Sequence, residues 1–161
     1  MFKPGIIEKN KITSDKRGEI SIVQLKKTFN LKQINFSLSD KYVIRGMHFQ
    51  KKIKQNKILI VNHGQILDVL VNLKNDEVTY YNLDNHNQFL MIPDYCAHGF
   101  QVLSKNVSLT YIFDNNYSKN NQIGFDVFDE RLSIKWRKMN KIIRSDKDKL
   151  LIKYEDFKSS I

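Results

Sequence analysis

An all-β sandwich or barrel closed by a short C-terminal helical segment is the fold this sequence predicts, on three observations. Short runs of alternating apolar residues recur at roughly 8 to 12 residues along the chain. Turn-forming residues separate them. Only the tail, "SDKDKLLIKYEDF" (145–157), has helix-compatible apolar spacing behind a capping-type start, which predicts a short helix or an extended flap against the barrel. The 161 residues, 41% of them hydrophobic, suit one ordinary domain spanning 1–161.

The elements follow in order. "EISIVQL" (19–25) alternates and predicts a strand. "VIRGMHFQ" (43–50) is strand-like but half polar. "KILIVN" and "QILDVLVNL" are two strands joined by the turn "NHG" (62–64). "LKNDE" (73–77) is the next turn, and a β-rich run holding Tyr80, Tyr81 and Leu83 follows it. "FLMI" ends at Pro93, and "GFQVL" and "VSLTYIF" complete the strands. No repeat, linker or low-complexity segment interrupts the pattern.

Several classes are disfavoured. No apolar run approaches membrane-spanning length. The N-terminal "MFKPGIIEKNK" lacks the apolar core of a secretion signal. Cys96 is the only cysteine, which excludes an internal disulfide and fits a reduced, cytoplasmic setting. The net charge of +10 has two readings: affinity for phosphate, or lysines spread over the surface. Lysines interleaved with asparagines favour the second. No nucleic-acid-binding motif is present. Of the four histidines, His63 and His86 fall in predicted turns, and no pair has metal-ligand spacing.

Four places could carry chemistry. Regular alternation puts Gly46, His48 and Gln50 on one face of their strand and Arg45, Met47 and Phe49 on the other. Arg45 and His48 can therefore serve one site only if Gly46 permits a bulge. His98 leads into "GFQVL", between small residues. Tyr111 shares an apolar face with Val107, Leu109 and Phe113 and needs a partner for its hydroxyl. Lys57 opens the strand "KILIV". Singly, each also reads as an ordinary core or surface residue.

Taken together, "DKRGEIS", "QINFSLSDKYVIRGMHFQ", "NKILIVNHGQILDVLVNL", "MIPDYCAHGFQVLS" and "RSDKD" occur in an order that resembles the dTDP-4-dehydrorhamnose 3,5-epimerase family of metal-free cupins. The resemblance runs from about Lys11 to Asp148. It implies a jelly-roll barrel, a homodimer with exchanged N-terminal strands, and no metal or redox cofactor. It also implies a nucleoside diphosphate 4-keto-6-deoxy sugar as substrate, inverted at carbon 3, carbon 5 or both. By this resemblance His48 is the base, Asp148 its carboxylate partner, Tyr111 the acid, and Lys57 the cation beside the enolate. Arg45 and Arg17 match diphosphate ligands, with Arg17 reaching across the dimer. Gln33, Asn35, Gln50, His98, Tyr117 and Lys147 match further substrate contacts.

Three positions depart from the family pattern. Ile22 stands near the "RG" run where aromatics are usual, Asn116 replaces the first residue of a tyrosine pair, and Gln122 falls at a glutamate contact. They place the departures on the nucleotide side. Two other readings stay open: a non-catalytic nucleotide-sugar binding cupin, and a 3,4-ketoisomerase. The second calls for another histidine close after His48, where Phe49 and Gln50 stand.

Overall fold

A computed structural model describes residues 2–7, 12–22, 24–25, 28–84 and 88–161. Twelve strands, two short α-helices and one 3-10 turn make up the described chain. β1 (Gly5–Ile7), β4 (Gln33–Ser39), β6 (Lys57–His63), β9 (Phe89–Ile92) and β11 (Val107–Phe113) form one sheet in the order β1-β9-β6-β11-β4. β5 (Ile44–Gln50), β7 (Ile66–Asn72), β8 (Glu77–Leu83), β10 (Cys96–Val102) and β12 (Gln122–Gly124) form a second, in the order β12-β5-β10-β7-β8. β2 (Ile12–Asp15) and β3 (Gly18–Ser21) pair only with each other, as a projecting hairpin. All pairings within these three sheets are antiparallel, as an all-β jelly roll requires.

The turn between β7 and β8 falls where expected, but the hairpin expected at "NHG" does not form: Asn62 and His63 belong to β6, and the chain bends at Gly64, φ +87°, where its lack of a Cβ matters, and crosses to β7 in the other sheet. Residues 73–76 turn β7 into β8. His63 is the last residue of β6 and not a turn residue, and His86 lies outside the described residues. β3 stops at Ser21, so the strand expected to run to residue 25 is shorter; Val23 is outside the described residues. β10 starts at Cys96, so His98 sits inside a strand instead of leading into one. The tail forms two short helices, α1 (Asp146–Lys149) and α2 (Tyr154–Ser159).

The core lies in three layers. Between the sheets, Leu59, Val61, Ile66, Leu70, Leu90, Phe100 and Leu109 are buried together. On the outer face of the second sheet, Leu67, Val69 and Val71 pack with Phe125, Tyr154 and Phe157. β7 is thus buried on both faces, which is why "ILDVLV" reads as a nearly continuous apolar run. α2 supplies the cover: Tyr154 and Phe157 are fully buried, and Tyr154 donates a 2.6 Å hydrogen bond to Asp76. A third cluster, Phe29, Ile58 and Met91, sits on the outer face of the first sheet.

Candidate active site

At one end of the sandwich the inward positions turn polar, and a cavity of about 310 Å³ opens between the sheets. β5 and β10 of the second sheet contribute Arg45, His48, Gln50 and His98. β4, β6 and β11 of the first contribute Asn35, Lys57 and Tyr111. His48 and Tyr111 therefore stand on opposing walls of one cavity.

The bulge that Arg45 and His48 required is present. His98 pairs with His48 and Phe100 with Arg45, so three steps of β5 span two of β10. Gly46 sits in the extra step at φ +126°, and the Gly46–Met47 peptide is cis. A Cβ on Gly46 would lie 2.6 Å from the Cα of Gly99, so two glycines let the strands touch there. The extra residue breaks the alternation and turns both Arg45 and His48 toward the cavity.

His48 Nε2 lies 2.9 Å from an Asp148 carboxylate oxygen. The other oxygen accepts the Gly46 N–H at 3.3 Å. Asp148 is buried, and its own N–H donates to Ser145, the N-cap of α1, at 3.1 Å. Burial pushes the Asp148 carboxyl up; hydrogen bonds and charge from His48, with the Gly46 amide and Ser145, outweigh it and hold the group below its ordinary value.

A second imidazole–carboxylate pair stands deeper. His98 Nε2 lies 2.7 Å from Asp68, which is fully buried on β7. Burial drives the Asp68 carboxyl up, against His98 and Lys57, and its second oxygen has no hydrogen-bond partner among the described residues. Lys57 is brought down to about 8 by burial, with Asp68 and Cys96 opposing. The Tyr111 phenol is pushed well up by burial and by Asp68, with Arg45 opposing. Its ring meets His98 edge-on at 6.1 Å and stacks on Phe113 at 6.0 Å. A neutral phenol, an imidazole and a buried amine thus face one space.

The cavity mouth is cationic. Arg45 is exposed and donates to Ser39 at 3.1 and 3.3 Å. Lys147 donates to the Gln122 side-chain oxygen at 2.7 Å, and the Tyr117 hydroxyl donates to the same oxygen at 2.9 Å. Tyr117 and Gln122 line the cavity, while Lys147 borders it through Gln122. Gln50 is buried, and its side-chain oxygen has no hydrogen-bond partner among the described residues. Gln33 stands one step back, donating to Asn35 at 2.7 Å and accepting the Tyr117 N–H at 2.8 Å. Arg17 is not brought to the cavity of its own chain: it sits on the exposed β2–β3 hairpin, paired with Asp15.

Of the three departures, only Gln122 lines the cavity; Asn116 and Ile22 are exposed. The residue that sequence reasoning missed is Asp68. Its signal was a carboxylate at the inward position between Ile66 and Leu70 in an otherwise apolar strand. Among the described residues, no three His, Cys, Asp or Glu side chains gather as a metal set would.

A family model described as dTDP-4-dehydrorhamnose 3,5-epimerase matches residues 6–156. A dTDP-4-dehydrorhamnose 3,5-epimerase of Escherichia coli (strain K12) is 35% identical over 132 residues, 77% of this chain and 71% of that protein. The crystal structure of a dTDP-4-dehydrorhamnose 3,5-epimerase from Elizabethkingia anophelis NUHP1 is 32% identical, with a TM-score of 0.85 over 94% of this chain and 91% of that one. A dTDP-6-deoxy-D-glucose-3,5-epimerase from Legionella pneumophila Philadelphia 1, solved with dTDP-4-keto-L-rhamnose, is 26% identical, with a TM-score of 0.83 over 94% and 93%.

Proposed function

The chain belongs to the dTDP-4-dehydrorhamnose 3,5-epimerase family, and from that premise we propose that it inverts carbon 3, carbon 5 or both of a nucleoside diphosphate 4-keto-6-deoxy sugar. The observation that carries the reading is the placement of His48 and Tyr111 on opposing sheets around one cavity, with Lys57 and Arg45 on its walls.

The chemistry follows from the ketone. A hydrogen on the carbon beside it is acidic because its departure leaves an enolate. His48 takes that proton on one face of the sugar, and the electron pair of the C–H bond moves into the enolate. Asp148, held ionised, stabilises the imidazolium that results and fixes the ring's orientation. Lys57 offers its ammonium to the enolate oxygen in a low-dielectric cavity, where the charge acts more strongly than in water. Tyr111 returns a proton to the opposite face. Burial keeps its hydroxyl protonated until that step. His98, held by Asp68, borders the same space as a substrate contact.

Arg45 grips the diphosphate, its planar fork matching phosphate oxygens. Gln33, Asn35, Gln50, Tyr117 and Lys147 complete the substrate contacts. The working unit is a homodimer of one-domain chains. Ile34, Phe36 and Leu38 form an exposed apolar row on edge strand β4, the kind of surface a second copy covers. β1 pairs with β9 of its own chain, so the β2–β3 hairpin is the segment that carries Arg17 to the partner's cavity. No helix among the described residues is long and apolar enough to cross a membrane. The reduced, cytoplasmic setting proposed here rests on the lone, buried Cys96.

The test is incubation with dTDP-, UDP-, GDP- and CDP-linked 4-keto-6-deoxy sugars in heavy water, read by mass and by product stereochemistry. Deuterium enters carbon 3, carbon 5 or both of at least one sugar, with inversion. Binding without deuterium uptake across the panel contradicts the enzyme reading and favours a sugar-nucleotide binding module.

A further inference from the structure

Asp148 sits on α1, a helix of four residues, and a single turn has no stability of its own. Its position therefore depends on tethers from outside the helix. One is Ser145 at the N-cap. A second is the parallel bridge of Ile143 to Val43, which lays the segment before α1 along the start of β5. A third is the bridge of Ile152 to Phe125, which ties down the segment after it.

A fourth tether reaches the carbonyl of Asp148 itself. The Arg144 Nη2 donates to that oxygen and also lies 2.9 Å from an Asp126 carboxylate oxygen. The Arg144 side chain is 11% exposed and lies over the Phe128 ring, 5.2 Å from its centroid. Its Nε is buried and meets no hydrogen-bond partner among the described residues. An arginine kept out of water with one donor unpaired is a costly way to fill this space, since apolar residues in place of the whole Arg144–Asp126 pair would pack without the desolvation penalty. Its Nη2, by contrast, spans two places that both flank the site. Asp126 directly follows Phe125, whose backbone exchanges hydrogen bonds with Met47 next to His48, at 3.1 and 3.2 Å. The Leu150 N–H, shared with the Lys147 carbonyl, also faces the Asp148 carbonyl, and the Leu151 N–H reaches it only at 3.5 Å.

We infer that Arg144 is a positioning residue, clamping the backbone of Asp148 to the Asp126 segment so that the carboxylate stays in line with His48. Arg144 touches neither the cavity nor the Asp148 carboxylate. Its effect passes through the carbonyl on the same residue. The inference rests on the His48–Asp148 pair being the base of the proposed reaction.

The experiment is a double-mutant cycle on the full-length protein, with kcat, KM and Tm measured for wild type, Arg144→Met, Asp148→Asn and the double variant. The substrate is the dTDP-linked 4-keto-6-deoxy sugar. Arg144→Met lowers kcat about tenfold, mid-range for residues in one hydrogen-bond network, and leaves KM within about twofold. In the Asp148→Asn background the same substitution costs little further, because the carboxylate it positions is gone. An equal fold-loss in both backgrounds overturns the inference and leaves Arg144 as a structural residue. Wild-type kcat in Asp148→Asn instead removes the His48–Asp148 reading, and this inference with it. If Arg144→Met does not fold, Arg144→Lys carries the same cycle: one ammonium cannot reproduce the two-sided guanidinium clamp, so kcat falls with the same dependence on Asp148.

Discussion

Lys57 is the residue whose surroundings make the sharpest demand on the chemistry. Its ammonium must be charged to hold an enolate, and burial has brought it to about 8. The active form is the protonated one, so kcat/KM falls as pH rises through about 8, the free enzyme's value. Lys57→Arg, a cation that does not titrate there, removes that alkaline limb even if overall activity drops. A limb unchanged in Lys57→Arg assigns it to another group. At the mouth, Gln122 accepts from Lys147 and Tyr117 without cancelling the lysine's charge. Gln122→Glu adds a carboxylate beside an anionic diphosphate. A like charge at about 4 Å in a water-like setting costs about 1 kcal/mol, or roughly fivefold, so KM rises about fivefold with kcat little changed. At this scale the sequence was legible where a residue's type betrayed it. An arginine and a histidine in a strand, or a tyrosine on an apolar face, needed a reason. Asp68 was equally out of place in "ILDVLV", but its partner His98 is thirty positions away, and only the β7–β10 register brings them together. Arg144 entered only as the first residue of "RSDKD", and its role was hidden because its partners, the Asp148 carbonyl and the Asp126 carboxylate, meet it only in the fold.

Among the elements, β5 decides the site. The sequence placed Arg45 and His48 on opposite faces and made their cooperation depend on Gly46, and the register shift against β10 supplies that condition. Gly46→Ala puts a Cβ 2.6 Å from backbone at a φ few L-residues adopt. Strain of this kind costs about 1–3 kcal/mol, and the clash with the Gly99 backbone adds to it. A chain of this length loses roughly 2–4 °C in Tm per kcal/mol, so a fall of about 5 °C or more is expected by thermal unfolding. Activity falls further than stability accounts for, because both Arg45 and His48 flank the bulge. β4 was harder to read as a strand: "QINFSLS" points its polar residues inward to the cavity and its apolar ones out. The usual pattern is the reverse. β12 has three residues, too few for a period, and Gly124 fits there because a Cβ would fall 2.0 Å from the Met47 carbonyl. The tail's cap at Ser145 was legible; the break between α1 and α2 was not, since Leu150 to Lys153 keep the apolar spacing while Ile152 bridges to Phe125.

For the whole molecule, two sheets enclose a core that is apolar at one end and polar at the other, and the C-terminal helices seal the second sheet's outer face. The first sheet's outer face is covered only in part, leaving Phe36 and Leu38 at 80% and 77% exposed. Phe36→Glu with Leu38→Glu converts the proposed dimer to monomers in sedimentation at micromolar concentration; an unchanged mass places the interface elsewhere. In the proposed reaction hydrogen leaves one face of the sugar at His48 and re-enters the other at Tyr111. This route is tested most directly by solvent deuterium uptake into the dTDP-linked 4-keto-6-deoxy sugar, measured beside product inversion in His48→Ala and Tyr111→Phe. The prediction is that His48→Ala takes up no deuterium yet still binds the nucleotide, while Tyr111→Phe exchanges hydrogen but loses most net inversion. Wild-type exchange in His48→Ala, or equal loss of exchange and inversion in Tyr111→Phe, contradicts it.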